Sequence, residues 1–235
     1  MNLVPSDQFS YAELAELFTR GYEAYFVPMH FDEPTLRYMV DAWDIDLARS
    51  RVAPDAGLAN LAVRGDRGWI GGIAVVPEQR RHGVGRALME AVLELAPLTV
   101  LLEVIEANEP AIKLYESLGF ERIRVLEVWR VEAPEVPAES VEPSALGQTD
   151  LPWQREDASL PQDYERVEVA GGAMIFRGGT VFQLEARDED AAVALLSRGT
   201  ALNYVNVPEG DVASGALARL GGELRLRQFE MVLAR

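Results

Sequence analysis

The chain has 235 residues, of which 49% are hydrophobic and 26% charged. That is length enough for one large domain or two small ones, and too apolar a composition for a disordered chain. Lys and Arg total 22 against 38 Asp and Glu, a formal charge of −16, which repels nucleic-acid backbones and anionic membranes and makes neither an expected partner. There is no cysteine and only His30 and His82 as histidines, so disulfides, thiolate nucleophiles and Cys-ligated metals are excluded and no metal site is expected.

Lys113 is the single lysine, so a Gly-Lys-Ser/Thr phosphate loop is absent. The start, Met1 to Ser10, shows no basic stretch leading into an apolar run. No apolar stretch reaches the ~18 residues that span a bilayer. A reducing, cytoplasmic setting is the expectation.

In chain order, Ala12 to Tyr25 places Leu14, Leu17, Phe18 and Tyr22 at helical spacing. Asp32 reads as the cap of a second helix, with Pro34 in its first turn and Leu36, Met39, Val40 and Trp43 as its stripe. Strands are predicted over Asp46–Ala53, Leu58–Arg64 and Trp69–Val76, with turn chemistry at Gly65-Asp66-Arg67-Gly68. Next come a helix over Val84–Leu95, a buried strand over Leu98–Ile105, a helix over Glu109–Leu118 closed by Gly119 and a strand over Arg122–Val131. This alternation predicts an α/β fold with some parallel pairing.

Ala133 to Asp150, with Pro134, Pro137 and Pro143, reads as a linker. The expected organisation is therefore a domain over 1–132, a linker over 133–150 and a second domain over 151–235. The second half repeats the end of the first. Leu118-Gly119 matches Leu220-Gly221, an offset of 221 − 119 = 102, and Leu224 to Leu233 reads as its closing strand.

The informative stretch runs from Val75 to Arg86. A strand ends at Pro77, then a basic turn, Arg80-Arg81-His82-Gly83-Val84-Gly85-Arg86, opens directly into a helix. Gly83 and Gly85 allow close backbone approach and the first helical amides favour an anion, which is how a pyrophosphate is cradled. A dinucleotide-fold motif needs a third glycine where Leu88 stands, so that reading fails. An ordinary strand-to-helix turn with solvated arginines is the plainer alternative.

Glu103 on the buried strand, then Asn108, Ala111, Leu114-Tyr115 and Leu118-Gly119-Phe120 complete a second signature. With the Arg-x-x-Gly-x-Gly of Arg80 to Gly85, the chain resembles the Gcn5-related N-acetyltransferases, the GNAT superfamily, over roughly Leu58 to Val131. Its pattern is most similar to the ribosomal-protein alanine acetyltransferase branch. The resemblance implies a GNAT-like mixed sheet flanked by helices, followed by a smaller, degenerate GNAT-like α/β lobe. It implies an acetyl transfer from acetyl-CoA to an amine-bearing small molecule or peptide.

It implies that Ile73, Ala74 and Val75 offer backbone groups to the pantetheine arm, and that Arg80 to Arg86 wrap the pyrophosphate. Asn108 would bond near the cofactor, Tyr115 would protonate the departing thiolate and Glu103 would relieve the amine of its proton. The residues allow plainer roles too: Tyr115 as a core aromatic, Asn108 as a helix cap, Glu103 as a strand carboxylate facing an arginine, with Glu106 the substitute base. Tyr22, Tyr25, Phe26 and Trp43 line either an acceptor slot or a helix core.

At the repeat offset Tyr115 becomes Leu217, Asn108 becomes Gly210 and Glu103 becomes Val205, and an acidic run, Glu185 to Asp190, replaces the basic loop. One cofactor site per chain is expected, in a monomer with pseudo-symmetric lobes or a homodimer. The competing reading is an acyl-CoA-binding regulator without turnover.

Overall fold

Capping chemistry fixes the first helices. In the computed structural model, which describes residues 1–235, Ser10 caps α1 (Tyr11–Gly21) in a reciprocal box. The Glu13 N–H donates to the Ser10 hydroxyl, and the Ser10 N–H donates to the Glu13 carboxylate. Asp32 caps α2 (Glu33–Ala42) by accepting from the Thr35 N–H, with Pro34 in the first turn. The predicted first helix stops at Gly21, so Tyr22 and Tyr25 pass into the loop that leads to α2.

After β1 (Val4–Pro5), the predicted strand Asp46–Ala53 shrinks to β2 (Arg51–Ala53). Asp46 turns the chain instead, accepting from the N–H groups of Arg49 and Ser50, the local bonding that makes Asp a turn residue. β3 (Gly57–Arg64) and β4 (Arg67–Val75) form an antiparallel hairpin, and β2 pairs antiparallel with both β1 and β3. The crossover α3 (Val84–Leu93) buries Val84, Leu88, Met89, Val92 and Leu93 and returns the chain to β5 (Thr99–Ile105), parallel to β4. α4 (Glu109–Ser117) comes next, ended by Gly119 at φ +94°.

The later elements are β6 (Glu121–Glu132), β7 (Glu139–Val141), β8 (Glu165–Val169), β9 (Gly172–Arg177), β10 (Thr180–Ala186), α5 (Glu189–Leu196), β11 (Ala201–Pro208), α6 (Val212–Arg219) and β12 (Glu223–Ala234). β7, β8, β9 and β10 form an antiparallel meander, β10 runs parallel to β11, and β11 pairs antiparallel with β6. Their core joins Trp129, Met174, Leu195, Tyr204 and Leu217. The Pro-rich stretch is thus not wholly a linker, because Glu139–Val141 pairs with Arg166–Glu168.

The repeat reappears as structure. β6 and β12 start 223 − 121 = 102 residues apart, and β5 and β11 start 201 − 99 = 102 apart. In each half a parallel pair of strands is bridged by a helix and succeeded by a helix and a long strand.

Two compact units result, and neither is a continuous segment. The first comprises residues 1–104, 108–122 and 231–235, the second 105–107 and 123–230. Most of β6, which closes the first half in sequence, belongs to the second unit, while the last residues of β12 belong to the first.

Candidate functional site

The parallel pairing of β4 with β5 is brief. It runs from Arg67 opposite Thr99 to Trp69 opposite Leu101 and then stops. Just beyond, the β3–β4 register slips from Leu61 opposite Ile70 to Asn60 opposite Gly72, so Gly71 is a bulge. A bulge bends its strand and re-aims the residues beyond it. Gly72 sits at φ +143°, and a Cβ there would lie 2.6 Å from the Phe18 ring, so only glycine fits. The irregularity thus precedes Ile73 to Val75, the stretch that the resemblance marks for the pantetheine arm.

A cleft of about 610 Å³ opens where the two strands diverge. Ile70, Gly72, Ile73 and Val75 form one wall, Leu102, Glu103 and Val104 the other. The basic loop closes one end through Arg80, Arg81, Gly83, Gly85 and Arg86, and the rest of the lining includes Tyr22, Tyr25, Phe26, Asn108, Leu114 and Tyr115.

The loop has the shape of an anion cradle. Arg81 (φ +63°) and Gly83 (φ +83°) both take the left-handed conformation, immediately before the amides that start α3. Successive N–H groups held this way form a concavity for an anion, reinforced by the helix terminus. A Cβ on Gly83 would meet nothing within 4 Å, and one on Gly85 would meet only side-chain atoms of Leu114, Val75 and Ile73 at 3.7 to 4.0 Å. The loop mouth is therefore open in front of its backbone, as a phosphate group requires, and the residues present fit a pyrophosphate-bearing ligand.

The individual side chains divide. Ala74 and Val84 are buried in the core, so only their backbones can serve a ligand, and His82 is exposed outside the lining. Arg86 donates to the Ser117 hydroxyl at 2.5 Å and to Glu90 at 3.3 Å. Arg80 lines the cleft while its Nε donates to the carbonyl of Val75 (3.0 Å) and one Nη to those of Gly21 (3.1 Å) and Glu23 (2.7 Å).

Asn108 is the helix cap, and its amide also faces the cleft wall. Its Oδ1 accepts from the Ala111 N–H at 3.3 Å, capping α4, and its Nδ2 donates to the Tyr25 hydroxyl at 3.4 Å. Tyr115 is buried, and burial, then the neighbouring Tyr25, pushes its phenol well above the ordinary value. Tyr22 is raised in the same way, by burial and then by Tyr25 and Tyr115, and Tyr25 is raised by burial despite the Asn108 bond. Three protonated phenols thus share the cleft wall.

Glu103 accepts a 2.7 Å hydrogen bond from the Trp69 indole N–H, and Trp69 in turn meets Trp43 edge-on at 5.7 Å. No local pattern in the sequence records this link, because β4 and β5 bring Trp69 and Glu103 together across 34 positions. Glu106 does not line the cleft. It faces Arg227 at 3.7 Å, so the substitute-base reading lacks a place at the site.

The second unit has the same strand split without the site. β10 and β11 pair only at Thr180 opposite Asn203 and Val181 opposite Tyr204. Beyond that point Arg155, buried to 2% exposure, donates to the carbonyls of Phe182 (3.0 Å) and Asn206 (2.9 Å) and to the Tyr204 hydroxyl. Gln183 donates back to the Arg155 carbonyl at 2.8 Å, and Trp153 is fully buried two residues before it. The chain's own segment bridges the gap. Between β10 and α5 stand only Arg187 and Asp188, too short a turn to form a cradle.

Comparison with known proteins agrees with this geometry. Residues 9–120 match the Acetyltransferase (GNAT) family. An N-alpha-acetyltransferase of Saccharolobus solfataricus is 32% identical over 118 residues, covering 45% of this chain and 69% of that protein. One of Sulfurisphaera tokodaii is 37% identical over 76 residues, covering 30% of this chain and 46% of that protein. The chain thus spans about half or less of the length of several curated relatives it matches. A GCN5-related N-acetyltransferase structure from Sphaerobacter thermophilus aligns over 97% of this chain and 93% of its own with a TM-score of 0.67 at 20% identity. A tandem GNAT protein of the clavulanic acid biosynthesis pathway aligns over 99% and 98% with a TM-score of 0.62 at 14% identity. These last two share the fold, over both units. With the loop, the split strands and these matches together, the chain belongs to the GNAT acetyltransferase family.

Proposed function

We propose that this protein transfers the acetyl group of acetyl-CoA to a primary amine by direct attack, with one active cleft per chain. The observation that carries this reading is the cleft itself, where divergent strands, a left-handed basic loop and the pair Tyr115 and Glu103 line one cavity. Backbone groups of Ile73 to Val75 lie along the wall where a pantetheine arm would pair as an added strand, and the loop amides from Arg81 to Arg86 hold the diphosphate. Glu103, held by Trp69, takes the ammonium proton directly or through water, because only the neutral amine has a lone pair. A C–N bond then forms as the C–S bond breaks, the Tyr115 hydroxyl gives its proton to the leaving sulfur, and the second proton shed by the acylated nitrogen returns through water to the Tyr115 phenolate. Ile73 to Val75 amides directed at the thioester oxygen supply electrostatic stabilisation there.

The acceptor proposed first is a peptide α-amine. The relatives whose names specify an acceptor are N-alpha-acetyltransferases and a ribosomal protein bS18-alanine N-acetyltransferase. The acidic body favours a cationic acceptor, and the absence of cysteine suits a cytoplasmic setting. We read the second half as a degenerate GNAT-like copy, since Leu217, Gly210 and Val205 offer neither acid nor base.

A CoA-release assay over short peptides, amino acids and small amines tests this. Turnover with an α-amine peptide is expected. Binding of acetyl-CoA without CoA release over the whole panel would instead make the protein a ligand-binding regulator.

A further inference from the structure

Arg80 opens the loop signature, yet its Nε and one of its two Nη atoms are held by three carbonyls. Gly21 is the last residue of α1, and Glu23 lies in the turn just after it. A helix end leaves its last carbonyls without partners and carries partial negative charge, so a cation there is doubly favoured. Arg80 supplies it from a position 59 residues away from Gly21, while its Nε holds the carbonyl of Val75 at the end of β4. A second tie runs alongside, the Arg20–Glu78 ion pair at 3.4 Å.

What Arg80 fixes is the start of the Tyr22–Tyr25 turn. Tyr22 packs edge-on against Phe18 (5.1 Å) and Tyr25 (4.9 Å), its hydroxyl lies beside Gly72, and Tyr25 reaches Asn108. The far end of the same loop is pinned separately, where Thr19 and Phe31 exchange hydrogen bonds of 3.0 and 2.9 Å. Between the two anchors Phe26, Val27 and Met29 stand exposed, and Phe26 lines the cleft.

We infer that Arg80 is a positioning residue for the acceptor side of the cleft, clamping the aromatic turn Tyr22–Phe26 to the strand and loop that hold acetyl-CoA, and is not a ligand of the diphosphate. Lysine cannot replace it: one ammonium lacks the planar fork that reaches three carbonyls at once. This inference rests on the proposed reading of the cleft.

The test compares wild type with Arg80→Lys and Arg80→Gln, with Glu78→Ala as a control that breaks only the neighbouring ion pair. Hydrogen exchange of the ligand-free proteins is expected to show amides of residues 22–26 opening about tenfold faster in both Arg80 variants, the loss of roughly one strong bond, with core strands unchanged. Isothermal titration with acetyl-CoA is expected to give a Kd within about threefold of wild type. With the best amine of the panel, the acceptor KM should rise about tenfold while kcat falls less.

Unchanged exchange at 22–26 would overturn the inference. So would a Kd for acetyl-CoA weakened tenfold or more with exchange and acceptor KM unaltered, since that is the signature of a phosphate ligand. If one variant is unfolded by circular dichroism, the other carries the comparison. Failure of wild type to bind acetyl-CoA would defeat the functional reading instead, and the exchange measurement would still decide whether Arg80 clamps the turn.

Discussion

At the scale of single residues, Tyr115 and Gly83 make the sharpest predictions. Burial raises the Tyr115 pKa above the ordinary phenol value near 10, so the hydroxyl keeps its proton throughout the range in which the enzyme would work. An acid that stays protonated gives no alkaline loss of its own below about pH 10. The kcat profile is therefore expected to be free of a descending limb from Tyr115 between about pH 8 and 10, and Tyr115→Phe is expected to lower kcat by about 10²-fold with the acetyl-CoA Kd unchanged. A full rate in Tyr115→Phe removes it as the acid. For Gly83 the open space around a Cβ separates two effects. Gly83→Ala adds left-handed strain of about 1–2 kcal/mol and a methyl group in the open loop mouth, and should bind acetyl-CoA weakly, whereas Gly83→Glu adds a negative charge to the cradle and should abolish the thermal shift that acetyl-CoA gives wild type.

At the scale of elements, the same strand–helix–strand device was used twice and opened once. In the first unit β4 and β5 diverge around a bulge and leave a cleft. In the second, β10 and β11 diverge and Arg155 spans them. Tyr204 shows how dry that spot is: burial pushes its phenol up to about 12, although the adjacent Arg155 pulls the other way. Arg155→Met would remove the guanidinium from two strand carbonyls and from the Tyr204 phenol, which keeps its backbone bond to Leu184, at about 1–3 kcal/mol for each bond left unmade. Chemical denaturation should show a loss of several kcal/mol, among the larger effects a point change produces. Titration of wild type with acetyl-CoA should saturate at one per chain, and two equal sites would refute the filled-slot reading.

At the scale of the whole molecule, the two compact units are interleaved in sequence. Ending the chain at Ala133 would strip the first unit of Met231–Arg235, where Leu233 is buried and Arg235 bonds to Leu98, Ala96 and Pro97. It would also leave β6, whose antiparallel partner is β11, as a long unpaired strand carrying Leu126, Trp129 and Val131. Exposed apolar edges of this kind aggregate. The fragment 1–133 is expected to be insoluble or to melt well below the full chain, as measured by sedimentation and calorimetry. A stable, soluble and fully active fragment would show that the second half is dispensable.

The sequence by itself determined the elements and the loop, because those depend on local chemistry. Periodicity, caps and glycines placed α1, α3, α4 and the strands β3 to β6 to within a few residues, and the Arg80–Gly85 turn announced its left-handed, glycine-bearing shape through residues that are neighbours in the chain. The repeat was legible for the same reason: its marks, Leu118-Gly119 and Leu220-Gly221, are contiguous. Tertiary structure alone decided which side chains meet. Trp69 finds Glu103, Asn108 finds Tyr25, Arg80 reaches the end of α1, and Arg155 fills the second slot, all across separations that no local pattern records. It also moved the boundaries, since strand pairing is long-range: β6 sits with β11 and not with the half that precedes it, and the proline-rich stretch supplies a strand because β8 offers an edge to pair with.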